Sequence, residues 1–326
     1  EINPNVQYNL PIKGYNFDLR REIFGSIEYI NTRLAPEGKR VKVFLWSGDT
    51  NPSERAIRMT YEAGVYNVNG GYTWINREEP FWMYISPMGV NKGEYFQIYA
   101  PILNENIYTR LWIDYYGFRR IIDTFEFTEK PYRLKPLNIY YHMYSGQKIA
   151  SLEALRRVYE WALAQKPNPI YLSEYAQKVL EYRNFALLED VRDGSLLMRG
   201  GGTLRTLRVD SLTHVDIDSS IGVVGYKQHD TSTYISLDSS GEYKIVFSQE
   251  YPRFNLVEVN GKVSDFQKTK EGYVIQLQAH VPLEFTIQTK CQLRFEPKAD
   301  SLNVRSNIIV KYKRIKNARI KAYCKK

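Results

Sequence analysis

Four histidines occur in this chain, and one stands apart by its setting. His142 lies in the aromatic run LNIYYHMY, residues 137–144, and is followed by Ser145 and Gly146. An imidazole there can donate a proton to a leaving group or stabilise an oxyanion, because its ordinary pKa lies near neutrality. Structural hydrogen bonding is the competing role. His214, His229 and His280 stand singly in separate short runs, the pattern of surface or packing histidines. Polar residues also gather where other apolar runs end: Ser47, Gly48 and Asp49; Asn67, Asn69, Gly70 and Gly71; Asn104, Glu105 and Asn106. Amides bond to hydroxyls and N-acetyl groups, and the faces of Trp112, Tyr115 and Tyr116 suit sugar rings. That combination points to a carbohydrate cleft, while asparagine serves equally at turns because it tolerates left-handed φ. With His142 as the catalytic candidate, Asp49, Asn67, Asn69, Asn104, Glu105, Trp112 and Tyr115 are the candidates for holding substrate. The chain has no His-x-x-x-His, no cysteine pair at zinc spacing, no G-x-S-x-G and no phosphate-binding loop. Zinc-site, serine-hydrolase and nucleotide readings therefore lack their ligands.

These residues need elements to position them. Over residues 41–71 an apolar run, VKVFLW, meets a polar cluster; Pro52 and Ser53 then open a helical pattern, and Gly64 stops it before VYNVNGG. Residues 137–149 repeat that βα arrangement, so a parallel sheet with right-handed crossovers is expected, with the site at the carboxyl ends of its strands. A helix is expected over residues 16–34, with Asn16 as N-cap and Leu19, Ile23, Ile27 and Ile30 in one stripe. Residues 72–94 read as a long excursion at the sheet rim, and FQIYAPI as a third strand. Over residues 108–128 helical spacing through Leu111, Tyr115 and Phe118 gives way to DTFEFT, whose alternation also fits a strand. Helices are expected over residues 151–165 and 173–185, with a short strand at 170–172 between them. Beyond Leu187 the period changes to two, in short runs divided by Asp-Gly, Gly-Gly, Ser-Gly, Asn-Gly and Glu-Gly. That is the signature of an all-β sandwich or barrel. GGGT at Gly200 to Thr203 reads as a turn or bulge within it.

The length suits two domains, 1–186 and 187–326. No run approaches the roughly 18–20 apolar residues of a membrane span. Cys291 and Cys324 can pair only if the fold brings their α-carbons within about 7 Å. The formal charge of +9 is concentrated in the last sixteen residues, which hold eight Lys or Arg and no acid, so the rest is close to neutral. Such a run fits a solvated or sheet-edge segment first, a surface for an anionic polymer or membrane second, and a nucleic-acid site least, since no motif for one is present.

Several stretches resemble a known family: SGDTNPSERAIRMTYEAGVYNVNGG, QIYAPILNENIYTRLW, DTFEFTEKPYRLKP, IYYHMYSGQKIASLEAL and GYNFDLRREIFGSIEYIN. They are similar to the deacetylase region of the Pel exopolysaccharide proteins, distant relatives of the NodB-type polysaccharide deacetylases. The resemblance covers residues 15–185, and LLMRGGGTLRTLRV extends it into the β-rich part. It implies a distorted or partial (β/α) barrel of the polysaccharide-deacetylase type followed by an all-β sandwich-like domain. It also implies a periplasmic enzyme that removes acetyl groups from an N-acetylgalactosamine-rich exopolysaccharide in biofilm matrix production, with other export-machinery proteins as partners. Family members use a divalent, zinc-like metal held by one Asp and two His, a second Asp as base, and a His as acid. His142 corresponds to that acid, and the region preceding Gly14 holds neither His nor Asp for the metal. The chain is therefore expected to be the carboxyl-terminal portion of a longer deacetylase that needs its upstream segment. The alternative is a non-catalytic carbohydrate-binding or scaffold protein of exopolysaccharide export.

Overall fold

The computed structural model describes residues 13–129 and 133–324. The chain forms two compact units, with the boundary between Pro167 and Asn168.

In the first unit a helical stretch opens at Leu19, one residue beyond Asp18. Asp18 rather than Asn16 supplies the cap oxygen, its carboxylate accepting from the Arg20 N–H at 2.9 Å. The stretch runs through π-type turns at Arg21–Gly25 and Ile30–Leu34 on either side of α1 (Ser26–Tyr29). Ile23 and Ile27 are buried with Trp46, Ile57 and Met59. Strand β1 (Val43–Leu45), α2 (Glu54–Glu62) and β2 (Tyr66–Val68) follow. Ser53 starts α2 by accepting the Ala56 amide at 3.3 Å, and Gly64, at φ +68°, turns the chain out of it. β1 and β2 are parallel, with Val43 opposite Tyr66. A hairpin of β3 (Gly89–Lys92) and β4 (Tyr95–Ile98) completes the sheet, β4 lying parallel to β2 at Val68 and Ile98, in the order β1-β2-β4-β3. Then come α3 (Glu105–Tyr108), α4 (Ile121–Phe127) and α5 (Ile149–Ala164). DTFEFT is therefore helical: Ile121 and Phe125 share one helix face, and both are buried with Phe118.

The (β/α) barrel is not what forms. Among the described residues only β1–β2 and β2–β4 pair in parallel, and strands prevail overall in small, otherwise antiparallel sheets. Residues 137–142 are extended but join no ladder, and Ile170 and Tyr171 lie outside any strand. The physical reason lies in what alternation encodes. Leu137, Ile139 and Tyr141 pack against the cluster of Ile102, Tyr108 and Phe118, which satisfies a period of two without any strand neighbour. The segment's polar groups are met singly instead: Glu105 N donates to Tyr140 O (3.0 Å), and Asn138 Nδ2 to Ile102 O (3.2 Å).

The second unit opens with α6 (Leu172–Tyr182) and is otherwise β-rich. Its strands are β5 (Ala186–Glu189), β6 (Leu196–Arg199), β7 (Thr206–Val209), β8 (His214–Val215), β9 (Val223–His229), β10 (Ser232–Leu237), β11 (Glu242–Ile245) and β12 (Phe247–Ser248). They continue with β13 (Phe254–Val259), β14 (Lys262–Thr269), β15 (Gly272–Gln278), β16 (Glu284–Thr289), β17 (Gln292–Glu296), β18 (Ser301–Val304), β19 (Ile308–Lys311) and β20 (Asn317–Tyr323). Two four-stranded antiparallel sheets, β13-β16-β19-β18 and β14-β15-β20-β17, share one core. One sheet sends Phe254, Leu256, Phe285 and Ile287 into it, and the other sends Tyr273, Ile275, Leu277 and Ile320. The basic run is therefore not an edge device. Its residues Asn317–Tyr323 form β20, an inner strand between β15 and β17, with Lys321 Nζ 3.2 Å from Glu296. Cys324 lies just after it and is disulfide-bonded to Cys291, with α-carbons 4.4 Å apart.

The glycines of GGGT also have a specific duty. Glu181, on α6, sets its carboxylate into this turn, where Thr203 N (2.7 Å) and Leu204 N (3.4 Å) donate to it. Gly202 takes φ +77°, and a Cβ there would stand 2.4 Å from the Ser239 carbonyl oxygen, so this position of the turn requires glycine.

Candidate functional site

The arrangement around His142 is built from the α3 turn and the extended segment facing it. Asn104 caps α3, its side chain accepting the Asn106 amide at 3.2 Å. The cap presents Glu105, which is 1% exposed, to residues 137–142. One oxygen, Glu105 Oε1, accepts from the His142 backbone N (2.9 Å) and from Ser145 Oγ (3.1 Å), and lies 2.8 Å from His142 Nδ1. A carboxylate facing Nδ1 requires the proton there, so Nε2 carries the free lone pair of the neutral ring. The His142 side chain is 39% exposed, which leaves the ring accessible at its outer side.

Aromatic rings enclose it. Tyr140 and His142 stand two apart before a 3-10 turn, Met143–Gln147, that carries Tyr144, and the three rings stack in succession, with centroids 6.4 Å apart for Tyr140–His142 and 5.0 Å for His142–Tyr144. Trp112 sets its ring edge-on to His142 (6.0 Å) and Tyr144 (5.3 Å). It reaches that position from a turn in which Arg110, Leu111 and Trp112 all take left-handed φ, +51°, +57° and +64°. Each such residue costs about 1–2 kcal/mol, and the turn is held by Leu111 N to Asn106 O (2.7 Å) and Trp112 N to Thr109 Oγ1 (3.1 Å). Desolvation, with the Glu105 charge behind it, raises the Tyr144 phenol above its ordinary pKa, so its hydroxyl remains a donor.

Buried side-chain polar atoms without a hydrogen-bond partner are Glu105 Oε2, Asn106 Oδ1, Trp112 Nε1 and Ser195 Oγ among the described residues. Three of the four belong to α3 and the turn that follows it, and all are closed to solvent. What faces outward is the His142 ring with Tyr144, which is 42% exposed, and Trp112 edge-on to both.

The other candidates are placed differently. Asn69 stands behind the site: its Nδ2 donates to Tyr140 Oη (2.9 Å) and Trp46 O (2.6 Å). Asn67 is buried and structural, accepting from Trp46 Nε1 (3.2 Å) and donating to Phe96 O (3.1 Å). Asp49 lies in an exposed turn, accepting the Asn51 amide (3.1 Å), and no hydrogen bond or ring contact joins it to His142. Tyr115 is partly exposed, with Lys148 Nζ 5.7 Å from its ring centre. Tyr140 and the pairing of Glu105 with His142 were not apparent in the sequence. The spacing of Tyr140, His142 and Tyr144 was the available signal for the first. Elsewhere, His214 Nδ1 lies 2.7 Å from Tyr226 Oη and His280 Nε2 lies 2.6 Å from Glu174, while His229 is exposed.

The divalent metal that the family resemblance implies does not fit this donor set. The site offers one imidazole, already engaged at Nδ1, and one carboxylate with a single free oxygen, whereas a catalytic zinc takes about three protein ligands. No three of His, Cys, Asp and Glu come together anywhere among the described residues. Compared with protein-family models, with curated proteins and with solved structures, the chain has no match.

Proposed function

We propose that the first unit is a saccharide-binding module acting on an exopolysaccharide, with the sugar held at His142, Glu105 and Trp112. The observation that carries this is the outward-facing ring set: His142 stacked on Tyr144, both partly exposed, with Trp112 edge-on to the two. Such aromatic faces give apolar contact to the ring of a sugar, and the Tyr144 hydroxyl and the outer nitrogen of His142 can bond to its hydroxyls. The sequence resemblance to exopolysaccharide deacetylases supplies the polymer class, a galactosamine-type chain with some N-acetyl groups. The Cys291–Cys324 disulfide agrees with an oxidising compartment such as the periplasm.

A second reading, de-N-acetylation, is favoured by the hydrogen bond between His142 and Glu105. A carboxylate at Nδ1 fixes the tautomer and the orientation of the ring, which leaves Nε2 as the atom that could pass a proton to a leaving group. Titration of partially acetylated galactosamine oligomers, followed calorimetrically and by acetate release with and without added divalent metal, separates the readings. The binding module is expected to take up oligomers, and Trp112→Ala and Glu105→Gln to weaken uptake about tenfold or more. Acetate release abolished by His142→Ala establishes the second reading. Unchanged binding in both variants, or no binding by the folded wild-type chain, removes the first.

A further inference from the structure

The first unit carries a second concave surface made of different residues. A groove of about 430 Å³ is lined by Arg77, Arg119, Arg120 and Arg157, with Asp123, Glu126 and Trp161 among its other walls. Its size falls in the range of about 300–1,000 Å³ typical of small-molecule sites.

The arginines differ in how they are neutralised. Arg77 takes both carboxylates of the groove: Nε lies 3.0 Å from Asp123 Oδ1, and Nη2 lies 3.2 Å from Glu126 Oε2. Arg120 is held from outside by Asp114 (2.7 Å) and Glu78 (3.4 Å), and donates to Tyr108 O (2.7 Å). Arg119 lies over the Tyr116 ring at 4.6 Å, and neither it nor Arg157 is ion-paired among the described residues. The four lining arginines thus face four carboxylates, Asp123, Glu126, Asp114 and Glu78, the last shared with Arg110, and Arg119 and Arg157 are the two guanidinium groups of the groove whose donors no carboxylate among the described residues takes. Trp161, stacked on Phe125 at 5.6 Å and 18°, is a fixed apolar wall beside them. Guanidinium groups are matched in shape to the paired oxygens of phosphate and carboxylate.

We infer that this groove binds a ligand bearing a phosphate or carboxylate group, which Arg119 and Arg157 hold while Trp161 contacts its uncharged body. This site is independent of the saccharide site at His142 and stands whether or not that reading does.

Calorimetric titration of the full chain with sodium pyrophosphate, and separately with trigalacturonate, in about 50 mM NaCl tests it. At least one is expected to bind with a dissociation constant of about 1 mM or tighter, and the tighter of the two names the anion. The double variant Arg119→Gln/Arg157→Gln is expected to lose about tenfold or more. Asp123→Asn, which removes a competing negative charge, is expected to tighten binding several-fold. Arg157→Gln alone, at an exposed position on α5, provides a folded variant should the double variant fail to fold, and its binding is expected to weaken. Failure of both anions to bind overturns the inference, as does a folded double or single variant that binds as tightly as the wild type.

Discussion

Leu111 is 65% exposed and occupies the middle of three successive left-handed residues, so its side chain contributes little packing to offset its backbone cost. Replacing it by glycine removes about 1–2 kcal/mol of left-handed strain and adds about 0.5–1 kcal/mol of unfolded-state entropy. Leu111→Gly is therefore expected to stabilise the first unit by about 0.5–1 kcal/mol, read as a higher midpoint in thermal melts; a lower midpoint would contradict the turn geometry. Trp112 has the same strain but contacts His142 and Tyr144, so Trp112→Gly should lose oligomer binding whatever it does to the melt. At this scale His142 was legible because polar residues collect after an aromatic run. Glu105 was legible as a site candidate, but its pairing with His142 was not, since the two lie 37 positions apart and nothing in a linear sequence pairs them. Asn67, chosen for the same chemistry as Asn106, is a packing residue, because amide side chains bond to backbone and ligand alike.

Among elements, α6 shows how a helix is fastened to a β-rich unit by ionisable groups. Burial opposes ionisation of Glu174, but the Tyr171 amide, His280 and Lys262 outweigh it and draw its carboxyl down to about 2. A depressed carboxyl stabilises the folded state fully above its unfolded pKa of about 4.3, and that contribution disappears as pH falls toward 2. Glu174 is 21% exposed, so after allowance for screening the contribution is on the order of 1–2 kcal/mol. Glu174→Gln is expected to lower the unfolding free energy by that amount at neutral pH and to flatten its decline between about pH 5 and pH 2. Urea unfolding across this range measures both, and parallel curves for variant and wild type would contradict the latch. The β1-α2-β2 arrangement was legible because Ser53 and Gly64 are local punctuation, each acting within a few residues. Residues 137–144 read as a strand because alternation reports which side chains are buried, not whether a neighbouring strand supplies hydrogen bonds; the chain instead joins no ladder and turns into a 3-10 helix at Met143. DTFEFT was undecided for a related reason: Ile121 and Phe125 fit a helix face only once Phe118 is known to lie against them.

On the scale of the molecule, the β-rich character of the second half was legible from its period and turns, but the role of its basic run was not. Charge suggested a solvated segment, whereas the alternate residues Ala318, Ile320 and Ala322 carry it into the core as β20. The disulfide closes this arrangement across 33 residues. Its removal by Cys291→Ser/Cys324→Ser is expected to cost about 2–4 kcal/mol. Urea unfolding of the oxidised chain and the double variant checks this, and equal midpoints would show that β20 is held by its ladders alone. The position of β20 also sets an order of events during synthesis. β15 and β17 do not touch until residues 317–323 lie between them, so while the chain emerges from the ribosome both expose unpaired edges. Completion of that sheet must wait for β20, about forty residues downstream of β15, a long-range pairing of the kind that slows folding.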